Sequence, residues 1–240
     1  MADVEHQRLF IECRFAEQRR VSFNCLSIND KTWLWRDVTL EEPWWVTLAA
    51  VSGEVLLFTA YHDTANPDQK SVLAYDIGRR EMRWFKNHFA IDSVNKGVVS
   101  GTDTRTGFQE MFLKLDTGEE ITPAAIPTNE QNIELVRPFQ YHEGTRDFET
   151  VHRFLEKKCG ILAVKTIEYR EYESFVIVSA FEGETDLANY LIVVSSEGKI
   201  LMRETLGERL KGLALDSFFI MSGYLIFVKN KTELVIWRFV

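Results

Sequence analysis

The chain has 240 residues, of which 28 are basic and 36 acidic, giving a formal net charge of -8. Nucleic acids and anionic membranes require a basic footprint, so we expect neither as a partner. With 45% hydrophobic residues, 5 prolines and 13 glycines, the composition indicates a globular domain and excludes a collagen-like or low-complexity chain.

The N-terminus and the cysteines indicate a compartment. Residues 1–8 contain no basic region followed by an apolar run, so we expect no signal peptide. No apolar stretch is long enough to span a membrane. The cysteines, Cys13, Cys25 and Cys159, are odd in number and form no CxxC motif, which argues against a disulfide framework or a zinc site. We therefore expect a reducing, cytoplasmic location, with Cys13 and Cys25 acting as small core residues.

Most of the chain is predicted to form short strands, in which apolar and polar residues alternate between Gly, Asn, Asp or Ser. Many short strands without intervening helices are typical of a sandwich, barrel or propeller. The predicted strands are Arg8–Phe15, Val21–Ile28, Val46–Val51, Glu54–Tyr61, Ser71–Tyr75, Phe89–Ser93, Glu110–Leu115, Ile161–Tyr169, Phe175–Phe181, Tyr190–Val194, Leu213–Ser217, Tyr224–Lys229 and Thr232–Phe239.

An internal sequence repeat favours a propeller over a sandwich or a barrel. Four segments share an apolar strand, a polar turn and a short strand ending in a bulky residue, with turns at Lys31, Arg80, Gly118 and Gly198. The turns are 49, 38 and 80 residues apart, and the last spacing is twice the roughly 40 residues of a propeller blade. Each repeat follows two further strands, which makes a four-strand unit. The sequence therefore predicts an all-β, five-bladed β-propeller of four-stranded antiparallel blades.

One segment, Thr122–Gly160, interrupts the pattern. It begins as a Pro- and Asn-rich loop and continues into one predicted helix, Asp147–Lys158, with Asp147 as its cap and Gly160 at its end. The apolar stripe of that helix is Phe148, Val151 and Leu155. We interpret residues 122–160 as a loop-helix insertion within a single domain of residues 1–240. The alternative is a six-bladed propeller with a degenerate blade here. In the five-bladed arrangement the first unit lacks its inner strand and the last lacks its outer strand.

The second repeat resembles a known pattern. Ala74 and Asp76, followed by Trp84, are similar to the repeat of quinoprotein-type propellers, in which Ala, Asp, Thr-Gly and Trp recur once per blade. The other repeats keep only parts of it: Trp35, Thr117-Gly118, and Gly198 with Met202 in the tryptophan position. The chain thus resembles a bacterial propeller family with degenerate quinoprotein-like or WD40-like repeats. The resemblance implies that each tryptophan docks on the next blade. Quinone-dependent members need a larger ring and often adjacent cysteines, so we expect no cofactor.

Three acidic residues, Asp92, Glu168 and Asp216, fall at comparable places in the predicted inner strands. Inner strands line the central channel of a propeller, and carboxylates that converge there could act as acid, nucleophile or base in glycoside cleavage. The alternative is structural, because Asp92-Ser93 and Asp216-Ser217 can end a strand by accepting hydrogen bonds from nearby backbone N–H groups.

A second candidate site is the face that carries the longer hairpins between the second and third strands of each unit. These hairpins contain Asp63, Asp103, Glu184 and Asp186, and the adjacent Trp44 and Trp45 follow Pro43 at a crossover on the same face. One of the two tryptophans is expected in the core and the other as an aromatic platform. Polar turn residues alone also explain the hairpin tips.

The function predicted from these features is non-catalytic. The chain has no GxSxG, HExxH, P-loop or GxGxxG motif, and its five histidines lack metal-ligand spacing, so we expect neither cofactor nor metal. We predict a monomeric binding or scaffold propeller whose partner, a protein or a carbohydrate, binds the hairpin face. The alternative is a glycoside hydrolase that uses the channel carboxylates.

Overall fold

Short antiparallel strands make up most of the protein, and one helix accompanies them. The computed structural model describes residues 1–62, 66, 68–105, 109–122 and 135–239. The strands form five sheets, and the chain divides into two units, Met1–Ile133 and Glu134–Val240. No helix among these residues is both long and apolar enough to cross a membrane.

The first unit contains three four-stranded sheets, and in each the strands follow one another in chain order. The first sheet is β1 (Ala2–Asp3), β2 (Arg8–Phe15), β3 (Arg20–Ser27) and β4 (Thr32–Val38). The second is β5 (Val46–Ser52), β6 (Val55–Tyr61), β7 (Lys70–Asp76) and β8 (Glu81–Lys86). The third is β9 (Phe89–Asn95), β10 (Val98–Asp103), β11 (Gln109–Lys114) and β12 (Glu120–Ile121).

The second unit contains two sheets and the helix. In chain order its elements are β13 (Leu135–Val136), β14 (Phe139–His142), α1 (Arg146–Cys159), β15 (Ala163–Tyr172), β16 (Phe175–Glu182), β17 (Leu187–Ser195), β18 (Ile200–Leu210), β19 (Phe218–Met221), β20 (Tyr224–Lys229) and β21 (Glu233–Arg238). One sheet has the order β14-β15-β16-β17-β18 and the other the order β13-β19-β20-β21.

The predicted all-β fold class is confirmed, and the up-and-down strand order within each sheet is that of a propeller blade, so the fold is propeller-like. The number of blades stays a prediction. Two strand predictions were wrong. The first sheet does have a strand ahead of β2, the two-residue β1. Residues 213–217 form no strand, because Asp216 adopts a left-handed φ of 55° and β19 begins only at Phe218.

The predicted helix is confirmed, but its cap is not Asp147. The Thr145 hydroxyl accepts a hydrogen bond from the Phe148 amide at 3.4 Å, so the helix starts one residue earlier than predicted. Gly160 ends it in the left-handed region, as predicted. Phe148 and Leu155 are buried against the five-stranded sheet. The segment 122–160 also contributes β13 and β14, two edge strands, while residues 123–134 lie outside the described residues.

Within the first unit, the outer strand of one sheet packs its bulky residue against the following sheet. Trp35 lies in a buried cluster with Leu56 and Phe58 of the second sheet. Trp84, only 9% exposed, lies in a cluster with Val99 and Leu113 of the third sheet. The Trp84 indole Nε1 donates to the Leu115 carbonyl at 2.8 Å. The predicted burial of Trp84 between two sheets is therefore confirmed.

Gly118 lies directly under the Trp84 ring. Its φ is +70°, and a Cβ built at this position would lie 2.7–2.9 Å from three ring atoms. Glycine is therefore required twice over, for the turn and for the close approach of the indole. An ion pair reinforces this contact: the Arg83 guanidinium bonds Asp76 of its own sheet at 3.0 Å and Asp116 of the third sheet at 3.1 Å.

We expect Trp84→Ala to lower the free energy of unfolding by about 3 to 5 kcal/mol, because it leaves a large cavity and an unpaired carbonyl. Gly118→Ala is expected to cost about 1 to 3 kcal/mol through strain and overpacking. The two losses should be less than additive, because removing the ring removes the clash. Met82→Ala, at an exposed position of the same strand, is the control. Chemical denaturation measures the two single variants, the double variant that combines them and the control. An unchanged midpoint for Trp84→Ala would contradict this packing.

Candidate functional site

Glu168, one of the three candidate carboxylates, is fully buried and structurally engaged. Its Oε1 accepts the backbone N–H of Asp216, and its Oε2 accepts the N–H of Ser217 at 3.0 Å and the Ser217 hydroxyl. These bonds fix the left-handed bend that precedes β19. A carboxylate with both oxygens occupied by backbone donors is a cap for a bend, and it offers no open oxygen to a substrate.

Asp92 and Asp216 are exposed and have other partners. Asp92, in the first unit, accepts a hydrogen bond from the Thr102 hydroxyl at 3.1 Å. Asp216, in the second unit, pairs with Arg137 at 3.3 Å. The non-catalytic alternative predicted that Asp92 and Asp216 accept hydrogen bonds from backbone N–H groups. In the structure, Glu168 accepts such bonds instead. Among the residues that the structure describes, no cluster of acidic, histidine or cysteine side chains suits a metal ion.

The predicted hairpin residues do not share one character. Asp103 is buried, and the Arg105 guanidinium and backbone N–H bond it at 2.8 Å each, which lowers the pKa of its carboxyl to about 2. Glu184 is exposed, and Asp186 forms an exposed ion pair with Lys211. Asp63 lies outside the described residues. Asp103 therefore organises its own turn, while Glu184 and Asp186 remain at the surface.

The Glu42 side chain fixes the backbone of the two adjacent tryptophans. Glu42 Oε1 accepts the N–H groups of Trp44 and Trp45 at 2.9 and 2.8 Å. The two rings meet edge to face, with centroids 6.4 Å apart. Trp44 is half-buried and Trp45 is 45% exposed, so neither lies in the core. The sequence-based expectation of one core tryptophan was wrong, because the carboxylate cap turns the chain before β5 begins.

Arg14 connects this crossover to the first sheet. Its guanidinium donates to the carbonyls of Trp44 at 3.1 Å and Val46 at 2.8 Å, and it lies 5.4 Å from the centroid of the Trp44 ring. Its Nε pairs with Glu12. Each of its three nitrogens thus donates a hydrogen bond within the protein, which positions the guanidinium beside the Trp44 ring.

A second arginine–aromatic stack lies at the hairpin between β2 and β3. Arg20 lies 4.3 Å from the centroid of the Phe15 ring, and the two residues face each other across β2 and β3. The neighbouring Val21 N–H donates to the Pro43 carbonyl at 2.7 Å, which joins the hairpin to the tryptophan crossover. We call Arg14, Phe15, Arg20, Trp44 and Trp45 the aromatic–arginine surface.

Sequence reasoning found the tryptophans of this surface and missed the other three members. Phe15 was predicted only as the last residue of a strand, and its side chain is 38% exposed. The signal was present: a four-residue turn between Phe15 and Arg20 makes them a cross-strand pair, and such a pair stacks when one member is cationic and the other aromatic.

Comparison with known proteins identifies no function. A family described as "Domain of unknown function (DUF4905)" matches residues 2–84, about a third of the chain. A search of curated proteins finds no match. Among solved structures, the crystal structure of BamB from Moraxella catarrhalis aligns with a TM-score of 0.38 and 9% sequence identity, covering 97% of this chain and 98% of that chain. The aromatic–arginine surface lies within the segment that the family matches.

The carboxylate assignments are tested by conservative replacements. Glu168→Gln should lower the free energy of unfolding by about 2 to 3 kcal/mol, because an amide nitrogen would face a backbone donor that the carboxylate accepts. Asp216→Asn and Asp92→Asn should each lower the free energy of unfolding by about 1 kcal/mol or less, since asparagine keeps one acceptor oxygen. Asparagine also tolerates the left-handed φ of Asp216. Urea denaturation compares the three. Equal losses for all three would contradict the bend-capping role of Glu168.

The Asp103–Arg105 contact predicts a pH dependence. The folded pKa of Asp103, about 2, lies below the roughly 3.9 of an unfolded aspartate, so the contact stabilises the fold above pH 4 and its contribution is lost as the pH falls from 4 to 2. Arg105→Ala should therefore lower the melting temperature at pH 7 and have little effect near pH 2. The control is Arg79→Ala, whose surface pair with Glu81 spans 3.8 Å. A pH-independent effect of Arg105→Ala would contradict the assignment.

Proposed function

We propose that the protein is a non-catalytic binding protein that holds a partner protein at the aromatic–arginine surface. The supporting observation is that two arginine–aromatic stacks, Arg14 with Trp44 and Arg20 with Phe15, lie on either side of the backbone hydrogen bond that joins Val21 to Pro43. Tryptophan and arginine are the residues that most often dominate the binding energy of protein interfaces. A surface whose rotamers are fixed before binding also loses little conformational entropy when a partner arrives.

The way in which the rings are covered favours a protein over a carbohydrate. Sugars stack on an open aromatic face, but Arg20 covers one face of Phe15 and Arg14 covers one face of Trp44. Among the described members of the surface, Trp45 presents the most open ring. Alternating guanidinium groups and ring edges match the mixed polar and apolar character of protein interfaces better than a sugar subsite.

The hydrolase alternative receives little support. Retaining or inverting cleavage needs two carboxyl groups with oxygens open to the sugar. Glu168 directs both oxygens to backbone and hydroxyl donors, and Asp216 supplies one of those donors through its own N–H group.

The remaining predictions belong to the same proposal. We propose that the sheets are blades of a propeller with degenerate quinoprotein-like repeats, supported by the position of Trp84 above Gly118. A cytoplasmic location is supported by three cysteines without disulfides, two of them buried. The exposed Glu184 and Asp186 of the second unit are proposed as a separate acidic contact surface, because hairpin tips commonly carry binding residues.

The test compares the partners retained by immobilised variants. Trp45→Ala and Arg20→Ala should each lose a partner that the unchanged protein retains, with affinity falling by about 2 kcal/mol, roughly 30-fold, for a central residue. Met82→Ala is the control, since Met82 is an apolar residue of the same unit whose exposed fraction, 55%, is comparable with the 45% of Trp45.

A glycan array is the second arm of the test. Glycan binding that disappears in Trp45→Ala would replace the protein partner with a carbohydrate. Identical sets of retained partners for the unchanged protein and both surface variants would refute the proposed site.

A further inference from the structure

The arginines of the first unit divide into those that bind a carboxylate and those that do not. Five of them each form an ion pair, as Arg14 does with Glu12 and Arg83 with Asp76. The side chains of the other four donate no hydrogen bond and form no ion pair within the described part of the chain. These four are Arg19, Arg20, Arg36 and Arg80.

Two of these four arginines are held in position by an aromatic ring. Arg20 lies 4.3 Å from the centroid of the Phe15 ring, and Arg36 lies 5.0 Å from the centroid of the Trp33 ring. The other two are exposed turn residues with φ values of 45° and 61°, and they contact no ring of the described residues. We call Arg20 and Arg36 the stacked arginine pair.

Both of these stacks lie on the same face of the first sheet. Residues directly opposite each other in an antiparallel pair share a face, and so do residues two apart in one strand. Phe15 pairs with Arg20, and Leu26, six residues further along β3, pairs with Trp33. The opposite face carries the buried cluster that contains Trp35. The two rings, 38% and 43% exposed, therefore point away from that cluster.

Cys13 lies on this face between the two stacks, because it is two residues from Phe15 in β2. Burial raises the pKa of the Cys13 thiol, two nearby carboxylates raise it further, and Arg20 and Arg36 lower it. The effect of both arginines on one thiol agrees with the strand register. The two guanidinium groups thus lie within electrostatic range of a single point on this face.

The two nearby carboxylates do not pair with the stacked arginine pair. Glu12 belongs to the other face of β2, where it binds Arg14 at 2.6 Å and accepts the Thr47 hydroxyl at 2.8 Å. Asp37 is exposed, and no ion pair joins it to an arginine of the described residues. Two positioned guanidinium groups therefore keep their N–H donors available, in a chain whose net charge is -8.

Charge complementarity indicates what binds these donors. A guanidinium binds a carboxylate through two parallel N–H donors, and packing on a ring fixes the direction in which those donors point. A long polyanion such as a nucleic acid or an anionic membrane would be repelled by the acidic remainder of the chain. A short acidic segment of a protein contacts only the local positive charge, so it meets no such repulsion.

We propose that the partner presents an acidic segment, whose Asp or Glu carboxylates bind Arg20 and Arg36. The binding site then extends from the aromatic–arginine surface along the outer face of the first sheet to Trp33. This inference rests on the proposed function for the occupant being a protein, and it adds the chemistry of the segment that makes contact.

Heteronuclear NMR with capped hexaglutamate as the probe tests this contact. Hexaglutamate should shift the side-chain Nε–H signals of Arg20 and Arg36, whereas capped hexaglutamine should shift neither. Arg20→Gln and Arg36→Gln should each weaken hexaglutamate binding about 5-fold, because each removes a charge-assisted contact. Arg80→Gln is the matched control, since it removes the same charge from an exposed turn of the same unit. It should weaken binding less than about 2-fold, because solvent and salt screen distant surface charges.

Two further measurements have an expected sign. Asp37→Asn should strengthen hexaglutamate binding, because it removes a charge that repels the probe. Raising the NaCl concentration from about 50 to about 300 mM should weaken the binding, because both arginine contacts are exposed to solvent. No shift at either arginine up to about 10 mM hexaglutamate, the range of very weak binding, would overturn the proposal. So would equal weakening by Arg36→Gln and Arg80→Gln.

Inorganic phosphate is a second probe. If phosphate shifts both arginine signals and hexaglutamate shifts neither, the acidic segment is wrong and a phosphorylated ligand replaces it.

Partner retention separates the failure of this inference from the failure of the proposed function. If Trp45→Ala loses a partner that Arg36→Gln keeps, and hexaglutamate does not bind, the proposed function stands and the acidic segment is wrong. If hexaglutamate binds at both arginines while Trp45→Ala and Arg20→Ala keep every partner, the acidic contact is supported and the proposed function is wrong.

Discussion

The packing of a bulky outer-strand residue against the following sheet is the interaction on which the first unit depends. A four-stranded antiparallel sheet with strands of at most eight residues cannot bury both faces by itself, so it gains stability only from a neighbour. Trp35 and Trp84 supply that contact from the first to the second sheet and from the second to the third. In the second unit Met202 packs partly buried against the cluster that joins its two sheets. The residue type varies, but its position in the strand is kept.

The backbone N–H groups left unpaired at turns and bends explain why several acidic side chains are engaged within the fold. Sheets joined by tight turns and bends leave backbone N–H groups without strand partners, and nearby carboxylates satisfy them. Glu168 does so before β19, Glu42 before β5 and Asp103 at the end of β10. Each of these carboxylates is used to shape the backbone. Surface rings and guanidinium groups then remain as the chemically distinctive groups, and so the proposed function rests on them.

Sequence patterns predicted the long strands well because alternation over six to eight residues leaves few alternatives. Arg8–Phe15 and Tyr224–Lys229 match the structure residue for residue. Two-residue strands such as β1 and β13 carry no periodic signal and could not be found. The apolar run before Phe218 resembled a strand, but its conformation is decided by the distant Glu168. The aromatic–arginine surface was found only in part, because cross-strand stacks depend on register rather than on local composition.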